Sequence, residues 1–409
     1  MALERVVVVG ASLAGLRAAE TLRGDGYAGS LTVVGNEPHR PYDRPPLSKQ
    51  ILTGEWDADR IWLAAGVGDT LDATWELDAA AASLDLATRM VGLADGRSLP
   101  FDGLVIATGA SPRTIPGSEH LGGVHTLRTL DDARAIRARL AAGVKRLVVV
   151  GAGFIGAEVA ASARGLGIEV TLVEPLAQPL ARVLGPTVGA VVADLHRAHG
   201  VDVRLDVGVE SIEGSTGNSS QVELVRLSDG SVIEADLVVV GIGVVPNTGW
   251  LEGSGLTLDN GVVCDKTTLA GPCVVAAGDV ARWPNLRYGG ELMRVEHWEH
   301  ALDMGTHAAR RIQDEAAGEP GEPFTPVPWF WSDQYDRKIQ LAGRCRPDDE
   351  MVVVAGSLAE RKFCALYGRD GEVVAALGMS MAGRVVKYRR QLVDGLGWDE
   401  ALAAAAPVP

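Results

Sequence analysis

The chain has 409 residues, 47% of them apolar, and a formal charge of −15. That is length for roughly two to three domains of about 150 residues each, with enough apolar content for sizeable cores. The acidic balance argues against nucleic acid as a partner of the whole surface, and no run reaches the ~18 uninterrupted apolar residues of a membrane span.

In chain order, residues 5–9 read as a buried parallel strand, 13–24 as a helix and 31–35 as a second strand, together a βαβ unit. The turn between the first strand and the helix is Gly10-Ala-Ser-Leu-Ala-Gly15, a GxSxxG motif in which Ser12 replaces the usual middle glycine. A glycine-rich turn at that place lays a pyrophosphate on a helix N-terminus. Ser12 slightly crowds the approach, although its hydroxyl suits a phosphate oxygen. The acid expected after the second strand is displaced to Glu37, the candidate for ribose hydroxyls. Residues 37–49 form a long Pro-rich loop, of the kind that is usually functional or disordered. Residues 102–110 read as a strand ending in the glycine turn Ala107-Thr108-Gly109.

A second βαβ unit begins at 146, with strands over 146–150 and 169–173 and a helix over about 154–166. Its turn, Gly151-Ala-Gly153-Phe154-Ile155-Gly156, is an intact GxGxxG, and Glu158 follows two residues later. Glu174 ends the next strand. A carboxylate there accepts both ribose hydroxyls of NAD and repels the extra phosphate of NADP. No Arg or Lys follows until Arg182, so NADH is expected over NADPH. Residues 201–240 suggest short antiparallel strands with a turn at Ser228-Asp-Gly230, and the run into Gly241-Ile242-Gly243 echoes the glycine-ended strand near 110. Residues 274–280 form another strand into a turn. There Asp279 either caps a following helix or meets a cofactor, and the two roles are compatible. The chain turns Gly-, Glu- and Pro-rich over 316–328, as a linker does. Beyond it come strand patterns (351–355, 363–368, 373–379), a helix near 384–394, and a tail, Leu402–Pro409, expected to fray. On a strand Trp329 and Trp331 share one face, with Phe330 on the other, and periodicity does not choose between core and cofactor roles for them.

Cys264, Cys273, Cys345 and Cys364 show no CxxC pairing and no metal spacing, and neither do the eight histidines. With no signal peptide, a reduced cytoplasmic enzyme is expected.

The set of motifs resembles the FAD-dependent NADH:ferredoxin reductase family of bacterial oxygenase systems, over essentially the whole chain. Its most specific element is Arg40-Pro-Tyr-Asp-Arg-Pro-Pro-Leu-Ser-Lys49, supported by Ala107-Thr-Gly109, Ala277-Gly-Asp-Val280 and Val327-Pro-Trp-Phe-Trp-Ser-Asp-Gln334. The resemblance implies an α/β fold with two Rossmann-like dinucleotide-binding domains of the glutathione-reductase kind and a C-terminal α+β domain. The expected segments are 1–112 (FAD domain, first part), 113–245 (NADH domain), 246–322 (FAD domain, second part) and 323–409 (C-terminal domain). It implies FAD contacts at Gly10, Ser12, Leu13, Ala14, Gly15, Glu37, Arg44, Pro45, Lys49, Ala107, Thr108, Gly109, Asp279, Glu296, His297, Trp298 and Trp331. It implies an NADH site at Gly151, Gly153, Phe154, Ile155, Gly156, Glu158, Glu174, Arg182, Gly241, Ile242 and Gly243. Lys49 and Glu158 are expected to act in catalysis as an ion pair beside the flavin.

Disulfide reductases of the same architecture carry redox cysteines near the flavin, and the loop Pro45-Pro-Leu-Ser-Lys49 has none. Electrons are therefore expected to leave directly to an external acceptor, a small iron–sulfur ferredoxin, from a monomer or homodimer. Ferredoxins are commonly acidic, so the docking face must be locally basic. Arg384, Lys387, Arg389 and Arg390 are one candidate patch, and Arg310 with Arg311 another. The alternatives are a rubredoxin reductase and a redox-sensing interaction protein like apoptosis-inducing factor.

Overall fold

A computed structural model describes residues 3–63, 71–214 and 220–405 and divides the chain into two compact units. The first comprises 1–43, 59–111 and 245–328; the second comprises 44–58, 112–244 and 329–409.

The first unit is built on a six-stranded sheet in the order Leu269–Gly271, Val274–Ala276, Gly103–Ile106, Arg5–Val9, Ser30–Val34, Thr74–Glu76. Every neighbouring pair is parallel except the first. The central strand is apolar throughout Val6–Val9 and buried throughout, as a strand covered on both faces must be. The helices Leu13–Gly24 and Trp298–Ala317 pack together. They approach so closely that a Cβ on Gly305 would lie 2.4 Å from the Ala14 carbonyl oxygen.

The second unit holds a five-stranded parallel sheet in the order Asp202–Arg204, Glu169–Val173, Arg146–Val150, Leu237–Val240, Val124–Thr126. It also holds an antiparallel sheet in the order Trp329–Gln334, Arg337–Gly343, Glu372–Met379, Lys362–Arg369, Glu350–Ser357. The helix Ala382–Asp394 lies against that sheet. The two Rossmann-like layers and the C-terminal α+β layer are thus the expected architecture.

Several expectations need correction. Of the strands expected to be antiparallel over 201–240, Asp202–Arg204 and Leu237–Val240 instead extend the parallel sheet. Only Val209–Gly214, Val222–Leu227 and Val232–Glu234 pair antiparallel. Residues 215–219 of that stretch lie outside the described residues. The linker starts later than 316, because the helix Trp298–Ala317 runs to a left-handed Gly318 cap. Leu402 belongs to a closing helix, Trp398–Ala404, whose Trp398 and Ala401 are buried, while 406–409 lie outside the described residues. Asp279 caps no helix: it sits inside one 3₁₀ turn, Gly278–Val280, which leads into the strand Ala281–Asn285.

Candidate functional site

In the first unit the Gly10–Gly15 turn is closed by backbone against backbone. Gly10 has φ +128°, and a Cβ on it would stand 2.0 Å from the Ala107 carbonyl oxygen. A Cβ on Gly15 would stand 1.8 Å from the Gly10 oxygen. Both glycines are required for the chain to fit, whatever is bound. Ser12 is the N-cap residue of Leu13–Gly24, with extended backbone; its side chain does not cap the helix, and no acid occupies the first turn. The positive helix end therefore keeps its field for an anion. Ala14 faces Gly278, where a Cβ would come 3.0 Å from the Ala14 Cβ.

Thr108 is tied to the returning chain. Its Oγ1 donates to the Asn247 carbonyl (2.9 Å), and Asn247 Nδ2 donates to the Thr108 carbonyl (2.8 Å). The Asn247 amide also donates to the Gly109 oxygen. Glu37 accepts from the Tyr42 hydroxyl (2.5 Å). Arg294 donates to the Asp279 carbonyl (3.1 Å) and pairs with exposed Glu296 (2.7 Å). Trp298 Nε1 donates to Asp43 (2.6 Å). Burial pushes the His297 imidazole down to about 4, against the smaller opposing pull of Asp279.

The second unit repeats the first turn with the same contacts. Gly151 has φ +97° and its Cβ would lie 2.4 Å from the Gly241 oxygen; a Cβ on Gly156 would lie 2.0 Å from the Gly151 oxygen. Gly153 differs, because its Cβ would meet nothing nearer than 4.0 Å. Its smallness leaves open the space in front of the helix Phe154–Gly165. Glu174 Oε2 accepts from the Ala152 amide (2.8 Å) and Oε1 from the Leu176 amide (3.1 Å). The carboxylate is thereby fixed beside the turn with lone pairs remaining. Ile155 and Ile242 are exposed, whereas Phe154 packs edge-on against Phe330 at 4.6 Å. Gly243 adopts φ +95°, and Arg182 stands exposed on a helix that kinks at Gly185.

The same unit brings Lys49 and Glu158 together. Lys49 Nζ lies 2.6 Å from Glu158 Oε2, with Glu158 only 3% exposed. Pro45–Ser48 form a 3₁₀ turn that points the lysine back, and its Nζ also donates to the Pro45 carbonyl (3.0 Å). Arg44 donates to the Arg128 carbonyl (2.6 Å). Ser48 donates to Glu158 Oε2 (2.5 Å) and Ser332 to Oε1 (2.7 Å). Ser48, Ser332 and Asn247 escaped the sequence reading. Ser332 had a usable signal, since it alternates with Trp331 and so must face inward if the tryptophan faces outward.

Trp329 and Trp331 do share a face of the strand Trp329–Gln334, rings 5.3 Å apart, while Phe330, Ser332 and Gln334 are buried on the other. The Arg389 guanidinium lies over the Trp329 ring at 5.4 Å. Arg384, Lys387 and Arg390 are exposed on the helix Ala382–Asp394. The other basic pair is not a patch: Arg311 is buried, bonded to Thr267 and Glu315, and Arg310 pairs with Asp25. All four cysteines are free and buried, and desolvation pushes their thiols up, to about 12 for Cys264, Cys345 and Cys364. No helix among the described residues is long and apolar enough to cross a membrane.

Comparison with known proteins adds the following. Residues 4–305 match the pyridine nucleotide-disulphide oxidoreductase family, and residues 329–409 match the reductase C-terminal family. A ferredoxin–NAD(P)+ reductase of a Sphingomonas species is 39% identical over 90% of this chain and 88% of its own. The putidaredoxin reductase of Pseudomonas putida is 37% identical over 99% of this chain and 96% of its own. Among solved structures, the covalent putidaredoxin reductase–putidaredoxin complex superposes with a TM-score of 0.89 at 34% identity, covering 96% of this chain and 93% of that one.

Proposed function

Because this chain belongs to the pyridine nucleotide-disulphide oxidoreductase family, and its relatives are ferredoxin reductases of oxygenase systems, we propose that it oxidises NADH, holds FAD, and reduces a small iron–sulfur ferredoxin. The observation that carries this reading is the pair of glycine turns, each closed by its own backbone contacts and each opening a helix whose first turn holds no acid. Bound FAD supplies the exchange of a two-electron donor for a one-electron acceptor.

The chain's own residues bind and orient. Gly10, Ser12 and Gly15 would present the end of the helix Leu13–Gly24 to the FAD pyrophosphate, with Leu13 and Ala14 also contributing, and Glu37 would hold the adenosine ribose. Ala107, Thr108, Gly109 and Asp279 would hold the rest of the FAD, and Glu296, His297 and Trp298 would meet the pyrimidine edge of its ring. Gly151, Gly153 and Gly156 seat NADH on the helix Phe154–Gly165; Glu174 takes its ribose hydroxyls and disfavours a 2′-phosphate. Phe154, Ile155, Arg182, Gly241, Ile242 and Gly243 would complete the NADH site. Lys49, held by Glu158 at 2.6 Å, would place a positive charge beside a bound flavin, and Arg44, Pro45 and Trp331 would help to hold its ring. The basic helix Ala382–Asp394 receives the ferredoxin.

The test is direct. Purified protein should show a flavin spectrum that bleaches with NADH at far lower concentration than with NADPH, and should pass electrons to a ferredoxin from a panel. Protein that stays colourless when supplied with FAD would refute the reading.

A further inference from the structure

The polar cluster around Glu158 does not end at Ser332. Two residues along the same strand face, buried Gln334 places Nε2 at 3.3 Å from Ser332 Oγ. Gln334 Oε1 is 3.2 Å from His196 Nε2, and His196 Nδ1 is 2.9 Å from the Tyr335 hydroxyl. Glu158, Ser332, Gln334 and His196 are all buried. Only Tyr335 reaches the edge of the row, at the hairpin turn, where His199 stacks flat on its ring at 3.7 Å.

The carboxylate fixes the direction of every bond in this row. An ionised carboxylate only accepts, so the Ser332 proton points to Glu158 Oε1. Ser332 Oγ must then accept, which requires the Gln334 amide nitrogen beside it. That turns Gln334 Oε1 toward His196, so Nε2 of the imidazole carries the proton and Nδ1 accepts from Tyr335. Burial pushes His196 down to about 4, so the ring is neutral near pH 7 and suits this single arrangement. An amide in the row blocks passage of protons, so the row orients rather than conducts. It ties Oε1 from one side and leaves Oε2 to Lys49 and Ser48.

We propose that Ser332, Gln334, His196 and Tyr335 are positioning residues that lock the rotation of the Glu158 carboxylate and so hold Lys49 in place for NADH oxidation. The proposal deepens the reading above and rests on the Lys49–Glu158 pair serving that reaction.

The experiment is anaerobic stopped-flow reduction of the FAD-loaded protein by NADH, with nitrogen-15 NMR of its histidines. Glu158→Gln should lower the limiting rate. Ser332→Ala should lower it by roughly tenfold, as loss of a hydrogen bond to a charged group does, with NADH affinity little changed and Ser332→Thr restoring the rate. Gln334→Met and Tyr335→Phe should have progressively smaller effects, and all should vanish in a Glu158→Gln background. Wild-type rates in these variants beside a slow Glu158→Gln, or losses that persist undiminished in that background, overturn the proposal. A wild-type rate in Glu158→Gln itself overturns the reading of the pair and the catalytic half of the proposal with it. The row is tested apart from turnover: His196 should show the neutral Nε2–H tautomer, and an Nδ1–H signal refutes the arrangement.

Discussion

At the scale of single residues, the three glycines of the second turn separate folding from binding. Gly156 sits 2.0 Å, measured from its would-be Cβ, from the Gly151 oxygen, with no flexible side chain to yield. Gly156→Ala should therefore destabilise the protein, by roughly 1–3 kcal/mol as overpacking does. Gly153→Ala meets no atom nearer than 4.0 Å and has φ −72°, which alanine adopts readily. That variant should melt at the wild-type temperature yet bind NADH about tenfold more weakly, a loss of ~1.4 kcal/mol. Calorimetry beside an NADH titration distinguishes the two, and equal melting losses would contradict the assignment. Glu174→Gln keeps an acceptor for the Ala152 amide, gives up the bond from the Leu176 amide, and removes the charge. Its preference for NADH over NADPH should narrow by about tenfold or more, read as the ratio of kcat/KM values.

At the scale of elements, the helix Ala382–Asp394 offers the sharpest charge experiment. Lys387→Glu with Arg390→Glu alters exposed side chains on a helix anchored by buried Val385, Tyr388 and Leu392. The fold should stand. Ferredoxin reduction should slow most at low salt while ferricyanide reduction is unchanged; equal effects on both acceptors would remove docking from this helix. The elements that sequence exposes most plainly are those with a single cause. Val6–Val9 and Leu147–Val150 are unbroken apolar runs ended by a positive-φ glycine, and both are strands. Three of the longer helices were not legible, for particular reasons. The capping box of Thr129 and Asp132 starts a helix whose buried face is only four residues of twelve. Gly185-Pro186 reads as a break, but Tyr367 donates to the Leu184 carbonyl (2.7 Å), which steadies the kink. The helix Trp298–Ala317 has His300 and Arg311 on its buried side, which spoils the apolar stripe. The Lys49–Glu158 meeting was legible only through family resemblance, since 109 positions separate the two and no local periodicity links them.

For the whole molecule, three desolvated imidazoles, His196 and His300 buried and His297 partly so, make the fold acid-sensitive. Desolvation pushes His196 and His297 down to about 4 and His300 to about 3, from an ordinary value near 6.5. In the unfolded chain these rings take up protons below about pH 6.5, while in the fold they stay neutral. The stability is therefore fully present above pH 6.5 and is lost as pH falls toward 4 and then 3. Urea midpoints at pH 7.5, 6 and 5 should fall in that order. His300, stacked on Trp283 at 4.8 Å, has no hydrogen-bond partner at either ring nitrogen among the described residues. His300→Phe should shallow the pH slope without lowering stability at pH 7.5, because no hydrogen bond is removed; an unchanged slope would exonerate this ring. The concealment of all four sulfhydryls has a practical outcome. Maleimides should leave the native enzyme unlabelled, so one cysteine installed on the surface becomes a unique handle for wiring it to an electrode or attaching a spin label, with no background to engineer away.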